Sequence, residues 1–251
     1  LKFEIPITYF YQFLLDLNYP ILFFFYLSLF VKKLYITQNL KLMNNLVLLR
    51  HGQSEWNLQN RFTGLKDIPL TKNGINEANN AGKLLKKNNV NIDKIFSSVL
   101  ERANMTAEIA IKAAEMEHLY DGNKVIYTRD KCLNERDYGD LVGLNKSETA
   151  EKFGKEQVHI WRRSFDISPP NGESLKDVVN RVSPYFEKFI QPLLLDNKNV
   201  LIVAHGNSLR AIIIKVGLYK PEQISSIEIP TGSPLMLKYE NGKLINHSYL
   251  T

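Results

Sequence analysis

Cysteine is almost absent from the sequence: Cys132 is the only one in 251 residues, so no disulfide can form within the chain. Such a chain is typical of a reducing compartment, and we expect a cytoplasmic protein. The sequence also lacks any Cys/His spacing that resembles a zinc site, so no metal site is predicted. Lys and Arg exceed Asp and Glu by 32 to 26, but the two signs are interleaved. This mixture has no basic stripe and does not predict a nucleic-acid partner.

Residues 1–42 lack Ala, Gly and Arg entirely, although the rest of the chain uses all three. The apolar run 21–31 is shorter than the roughly 20 residues that a membrane-spanning helix needs. Two interpretations are open: a poorly formed signal anchor, or sequence that is not part of the native protein. The residue types are those of AT-rich codons, which favours the second interpretation, with Met43 as the start. We therefore exclude residues 1–42 from the fold and expect no membrane contact unless they are native.

From residue 43 onward, apolar strand patterns alternate with helical patterns. This order is typical of an α/β protein, and we predict a three-layer α/β/α fold with a mainly parallel central sheet. The predicted strands are 46–49, 92–97, 125–128, 200–204, 235–239 and 244–247, with another short strand near Ile227 and Ile229. The predicted helices are 71–87, 99–114, 147–163, 174–194 and 208–216, and residues 131–143 are predicted as a loop.

Charged groups follow three of the predicted strands. Arg50 and His51 follow the first, Arg102 lies just after the second, and His205 follows the most apolar one. Ligands of open α/β sheets bind outside the carboxyl ends of the strands, so these groups are expected to converge. Gly52 and Gly206 are expected to allow close approach of a ligand beside each histidine.

This set of residues suits phosphoryl transfer. A neutral imidazole can attack phosphorus once the charge of the phosphoryl oxygens is neutralised, and Arg50, Arg102 and His205 would do so without a metal. Glu135 is a candidate proton carrier, provided that its surroundings raise its pKa. Each residue alone has a simpler interpretation: a histidine after a strand can be structural, and Glu135 with Arg136 can be a surface ion pair.

The motif LLRHGQSEWN at residues 48–57 resembles the signature of the histidine phosphatase superfamily, in its phosphoglycerate mutase branch. Further family-like motifs follow in order: RFTGLKDIPLTKNG, SSVLERA, LNERDYGDLVGLNKSETAEKFG, WRRSF, AHGNSLRA and IPTGSPL. The resemblance covers about residues 46–249. It implies that 43–251 is a catalytic domain of that family.

The resemblance implies that His51 is phosphorylated, that Arg50, Arg102 and His205 contact the phosphoryl group, and that Glu135 is the acid/base. It also implies a set of substrate contacts: Ser54, Asn57, Thr63, Gly64, Tyr138, Lys146, Arg162, Arg163, Gly206 and Asn207. Gln53 and Asp137 depart from residues common in the family. These two departures could change the ratio of mutase to phosphatase activity.

The implied activity is that of an isomerase of glycolysis and gluconeogenesis, which interconverts 3-phosphoglycerate and 2-phosphoglycerate. It implies 2,3-bisphosphoglycerate as the primer of a phosphohistidine, no metal, and a homodimer or homotetramer, with the tail after Ile229 as a lid. One alternative is a broad-specificity histidine phosphatase, in which water attacks the phosphohistidine. Another is a non-catalytic, membrane-tethered interaction protein, which depends on residues 1–42.

Overall fold

The computed structural model describes residues 43–251, and the interpretations of residues 1–42 lie outside this range. Within it, one six-stranded sheet has the order β5-β2-β6-β1-β7-β8, and β3 and β4 form a separate hairpin. The strands are β1 (Met43–Arg50), β2 (Lys94–Ser97), β3 (Tyr120–Asp121), β4 (Lys124–Val125), β5 (Thr128–Arg129), β6 (Val200–Ala204), β7 (Leu235–Glu240) and β8 (Lys243–Tyr249). Strands β5, β2, β6 and β1 are parallel, whereas β7 and β8 are antiparallel to their neighbours. The predicted α/β class and mainly parallel sheet are confirmed.

The described helices are α1 (Glu55–Leu58), α2 (Lys72–Lys87), α3 (Glu101–Ala113), α4 (Lys146–Phe153), α5 (Lys155–Arg163), α6 (Leu175–Tyr185), α7 (Gln191–Leu195) and α8 (Gly206–Lys215). Alternate residues of β1 face opposite sides of the sheet, as the period of a strand requires. Leu46 and Leu48 pack into a cluster with α6 and α8, while Val47 and Leu49 pack into a cluster with α2 and α3. Both faces are thus covered, which explains why β6 is buried at all five positions.

The parallel register brings three strand ends to one edge of the sheet. Arg50 at the end of β1 pairs with Ala204 at the end of β6, and Ser97 of β2 pairs with Val203. The residues that follow these ends, including His51 and His205, therefore lie together. The predicted convergence of the charged groups depends on this register.

The predicted helix 147–163 is two helices, because Gly154 between α4 and α5 has φ +89°, which does not fit a right-handed helix. Asn145 caps α4, since its side chain accepts hydrogen bonds from the backbone N–H groups of Ser147 and Glu148. Phe153, at the end of α4, is 42% exposed.

The predicted helix 174–194 is also interrupted. Pro192 has no N–H to donate to a preceding carbonyl, and the turn before it is a π-helix, Phe186–Ile190, between α6 and α7. The predicted strand 125–128 is divided between β4 and β5, and the predicted strand near Ile227 and Ile229 is absent from the described sheet. A 3₁₀ turn precedes this segment, whose carbonyls accept hydrogen bonds from arginine side chains. No helix within residues 43–251 is both long enough and apolar enough to cross a membrane.

Candidate active site

His51 lies directly after β1, where its backbone N–H donates to the Ala204 carbonyl at 3.0 Å. Its side chain is buried, and Nδ1 lies 2.7 Å from the Gly52 carbonyl oxygen. A carbonyl can only accept, so Nδ1 carries the proton and the neutral ring keeps a lone pair on Nε2. Burial, together with the positive charges of Arg102 and Arg50, holds the pKa of His51 well below its usual value. The ring is thus neutral and has a defined tautomer, with the lone pair of Nε2 free.

Two arginines beside His51 are held by backbone carbonyls. Arg50 Nη1 donates to Ile229 O at 2.8 Å, and Arg102 donates to Lys66 O at 2.7 Å and to Gly64 O at 3.0 Å. The Nε atoms of both arginines are buried without a hydrogen-bond partner. Burial lowers the pKa of Arg102 to about 10, which leaves it charged at neutral pH. These donors fit an anion bound against His51.

His205 follows β6, and its ring centroid lies 5.0 Å from that of His51. Its Nε2 is 2.7 Å from the hydroxyl oxygen of Ser98, while Nδ1 is buried without a partner. Burial, followed by the charge of Arg102, holds the pKa of His205 well below its usual value. His205 is therefore neutral before a ligand binds.

Glu135 is buried and lines the same cleft as His51. Its Oε1 accepts hydrogen bonds from the backbone N–H of Arg136 at 2.8 Å and from the side-chain amide of Asn207 at 3.0 Å. Burial raises the pKa of Glu135, but these hydrogen bonds and the charges of Arg102 and Arg50 outweigh it, so the pKa is lowered. The sequence analysis requires a raised pKa for Glu135, but without a ligand its pKa is lowered. A bound phosphoryl group would offset the arginine charges and raise the pKa.

The loop that carries Glu135 is held by Arg181 of α6. Its guanidinium donates to the carbonyls of Cys132, Asn134 and Glu135 at 2.7–3.1 Å, and to both carboxylate oxygens of Glu173. Residues 131–143 were predicted as a loop, and they contain only short 3₁₀ turns. Arg181 therefore replaces the regular hydrogen bonds that this segment lacks.

The two glycines beside the histidines have different roles. A Cβ on Gly52 would lie 2.2 Å from the Gly74 carbonyl oxygen, so the missing side chain accommodates protein backbone rather than a ligand. The nearest atoms to a Cβ on Gly206 would be those of Arg210 and Arg50, at 3.6–3.8 Å. The expectation of ligand approach is wrong for Gly52 and stays a prediction for Gly206, which lines the cleft.

One cleft brings together all but two of the predicted site residues. Those that line it are Arg50, His51, Asn57, Thr63, Gly64, Arg102, Glu135, Tyr138, Lys146, Arg162, Arg163, Gly206 and Asn207. His205 is fully buried and is not among the lining residues, although its ring centroid lies 5.0 Å from that of His51. Ser54 is also fully buried, where it caps α1 by accepting from the Asn57 backbone at 3.3 Å. Its position supports Asn57 instead of facing a ligand.

Four further cleft residues were missed: Arg61, Phe62, Arg210 and Glu228. Arg210 lies one helical turn after Gly206 in the motif AHGNSLRA, so its helical spacing could have identified it. Glu228 has no comparable signal, because it reaches the cleft from an irregular segment before β7. In all, seven cationic side chains and two carboxylates line the cleft. No cluster of metal-ligating side chains occurs among the residues that the structure describes.

A family model described as histidine phosphatase superfamily (branch 1) matches residues 46–249. A 2,3-bisphosphoglycerate-dependent phosphoglycerate mutase from Beijerinckia indica is 51% identical over 193 residues, 77% of this chain and 90% of the relative. A protein of the same name from Chlamydia pneumoniae is 45% identical over 222 residues, 80% of this chain and 96% of the relative. The family model covers nearly all of the chain after residue 45.

Solved structures show the same fold. A mycobacterial glucosyl-3-phosphoglycerate phosphatase in complex with VO3 has a TM-score of 0.65 at 26% identity, over 77% of this chain and 92% of that one. The product of an open reading frame of Mycobacterium tuberculosis has a TM-score of 0.63 at 26% identity, over 83% of this chain and 96% of that one.

Proposed function

The chain belongs to the histidine phosphatase superfamily (branch 1), and from that membership we propose that it is a 2,3-bisphosphoglycerate-dependent phosphoglycerate mutase. It interconverts 3-phosphoglycerate and 2-phosphoglycerate and is an isomerase. Identity of about half of the residues to relatives of that name supports this function. The observation in the site that carries the proposal is the unprotonated Nε2 of His51 at the wall of a strongly cationic cleft.

The first step is the attack of His51 on phosphorus. Its Nε2 forms an N–P bond while the bond from phosphorus to the oxygen of the bisphosphorylated primer breaks. The Gly52 carbonyl holds the Nδ1 proton and thereby keeps Nε2 available. The low pKa of His51 means that no proton must leave the ring before the attack.

The charge that develops on the phosphoryl oxygens is stabilised by Arg50 and Arg102, whose unpaired Nε–H groups are fixed before substrate binds. The negative charge of the phosphoryl group favours protonation of neighbouring His205. Once protonated, His205 would donate a hydrogen bond to a phosphoryl oxygen. Because these groups are held by the backbone and by Ser98, little reorganisation accompanies the transfer.

Proton transfer is the role proposed for Glu135. When the primer oxygen leaves phosphorus as an alkoxide, a proton from Glu135 neutralises it; in the reverse direction, Glu135 takes the proton of the attacking hydroxyl. Its lowered pKa keeps the carboxylate ionised, as the second role requires. Negative charge from a bound phosphoryl group would raise the pKa and enable the first role.

The rest of the cleft suits a ligand with several negative charges. Lys146, Arg162 and Arg163 lie apart in sequence from the residues around His51, yet they line the same cleft. A phosphoglycerate carries a phosphate and a carboxylate, and the primer carries one phosphate more. We therefore propose that these cations bind the end of the ligand that is not reacting, which agrees with 2,3-bisphosphoglycerate as the primer.

A primer-dependence assay tests this function. Purified protein is incubated with 3-phosphoglycerate, and formation of 2-phosphoglycerate is measured with and without catalytic amounts of 2,3-bisphosphoglycerate. We expect rapid isomerisation only with the primer. Slow release of inorganic phosphate without isomerisation would contradict the proposal and favour the histidine phosphatase alternative. The proposed homodimer or homotetramer is tested separately by light scattering of the same protein.

A further inference from the structure

The carboxylate of Glu228 lies at the rim of the cleft and is held there by cations. Oε1 pairs with Arg163, and Oε2 lies 3.8 Å from Nη2 of Arg210. The Glu228 side chain is 65% exposed, whereas those of Arg163 and Arg210 are 21% and 11% exposed. The solvent-accessible carboxylate of Glu228 is thus paired with cationic side chains that line the cleft.

The backbone around Glu228 is fixed. Arg210 donates to the Ile227 carbonyl through Nε at 3.0 Å and Nη2 at 2.8 Å, and Arg50 donates to the Ile229 carbonyl at 2.8 Å. The carbonyls on both sides of Glu228 are therefore bound to arginines of the cleft. This attachment places the carboxylate near Arg163 even though the segment has no regular secondary structure.

The two carboxylates of the cleft differ in how they are held. Glu135 is buried and accepts hydrogen bonds from backbone N–H groups. The described contacts of the Glu228 carboxylate are with arginine side chains, and the carboxylate is exposed to solvent. Because its carboxylate is largely exposed, this ion pair contributes little free energy, and an incoming anion can displace it.

We propose that Glu228 is a specificity-determining residue, an internal anion that competes with the non-reacting anionic group of the substrate for Arg163. This inference rests on the proposed function, because it concerns the same cleft. A ligand must replace the carboxylate with stronger contacts to Arg163. Phosphate dianions do so better than a single carboxylate, since they carry more charge and more acceptor oxygens. Glu228 thereby weakens the binding of all anions and disfavours weakly charged ones most.

The test is the variant Glu228→Gln, which keeps the size of the side chain and removes its charge. Binding of sulfate alone is measured by isothermal titration calorimetry, and KM and kcat are measured with 3-phosphoglycerate. We expect sulfate to bind about 2- to 5-fold more tightly, and KM to fall by a similar factor while kcat changes less. The matched control is Glu187→Gln, an exposed carboxylate paired with Lys215 outside the cleft, which should leave both constants unchanged.

A double variant separates competition from a structural role. If Glu228 acts by competing for Arg163, Glu228→Gln should not tighten sulfate binding when Arg163 is already replaced by Gln. Weaker sulfate binding in Glu228→Gln would overturn the proposal, because Glu228 would then orient Arg163 rather than compete for it. A change in sulfate affinity smaller than about 1.5-fold would also overturn it. Sulfate binding does not require isomerisation. Tighter sulfate binding without mutase activity in the unmodified protein would refute only the proposed function.

Discussion

The imidazole rings of His51 and His205 lie 5.0 Å apart between their centroids, tilted by 58°. Both are buried, and for each of them burial and the nearby Arg102 lower the pKa. Two charged imidazoles at this distance would also repel each other, so the neutral form of the pair is favoured in the absence of a ligand. The neutral state that favours nucleophilic attack is thus the state that the fold favours.

Removal of the nucleophile should eliminate the phosphoenzyme and isomerisation together. His51→Ala is expected to lower isomerase activity by about 10⁴-fold or more, because the remaining cations can bind substrate but cannot accept the phosphoryl group. Acid-labile phosphate on the protein is measured with radiolabelled primer. His159→Ala is the control, since His159 is exposed on α5. Isomerisation retained in His51→Ala would refute the covalent mechanism.

The histidine pair also predicts how stability depends on pH. Because the pKa of each histidine is lowered in the folded state, the unfolded chain takes up protons first as the pH falls. The stability linked to these groups is thus present above the unfolded pKa, about 6.5, and is lost as the pH falls below it. We expect the free energy of unfolding to fall by up to about 1.4 kcal/mol per pH unit for each histidine.

This dependence is measured by urea unfolding between about pH 7.5 and pH 5, followed by the fluorescence of Trp56 and Trp161. In His205→Gln, one fewer proton is taken up on unfolding. The free energy of unfolding should therefore change less steeply with pH, by up to about 1.4 kcal/mol per pH unit. Equal slopes in the variant and the unmodified protein would show that His205 is not held neutral by the fold.

Glu135→Gln should slow proton transfer without disturbing the fold. The amide oxygen of Gln can still accept from Arg136 and Asn207, so the free energy of unfolding should change by less than about 1 kcal/mol. We expect kcat to fall by about 10²- to 10⁴-fold, measured with saturating 3-phosphoglycerate and primer. An unchanged kcat would reduce Glu135 to a structural role.

The sequence predicts those parts of the site that depend on strand ends. His51 and His205 follow strands whose apolar pattern is unambiguous, and a parallel register brings their ends together by geometry alone. The interruptions at Gly154 and before Pro192 could be predicted only in part, since a single residue changes a helix whose amphipathic pattern continues on both sides.

Three features could not be predicted, because they depend on contacts between distant segments. Gly52 is close to Gly74 only after α2 has packed beside β1. Glu228 reaches the cleft because Arg50 and Arg210 bind the carbonyls beside it, and no local pattern encodes that attachment. Similarly, the pKa of Glu135 depends on the balance between burial, which raises it, and a hydrogen bond from neighbouring Arg136 together with contributions from the distant residues Asn207, Arg102 and Arg50, which lower it.

Arg181→Lys should reduce activity through the position of Glu135. An ammonium group cannot reproduce the planar set of bonds to three carbonyls and to Glu173. We expect a loss of about 2–3 kcal/mol in the free energy of unfolding and a fall in kcat of about 10-fold. KM should change little, because Arg181 does not line the cleft. Arg129→Lys, at an exposed strand residue, is the control. A change in KM alone would contradict a positioning role.

Gly52→Ala and Gly206→Ala should separate folding from ligand binding. In Gly52→Ala, the added methyl group would meet the Gly74 backbone at 2.2 Å, and backbone cannot move aside as a flexible side chain can. We expect a loss of about 1–3 kcal/mol in the free energy of unfolding, measured by urea unfolding.

In Gly206→Ala, the methyl group has room at 3.6–3.8 Å but lies near Arg210 and Arg50 at the cleft wall. Its stability should therefore be nearly unchanged while KM rises, and a destabilised Gly206→Ala variant with normal KM would contradict the ligand-approach role of Gly206.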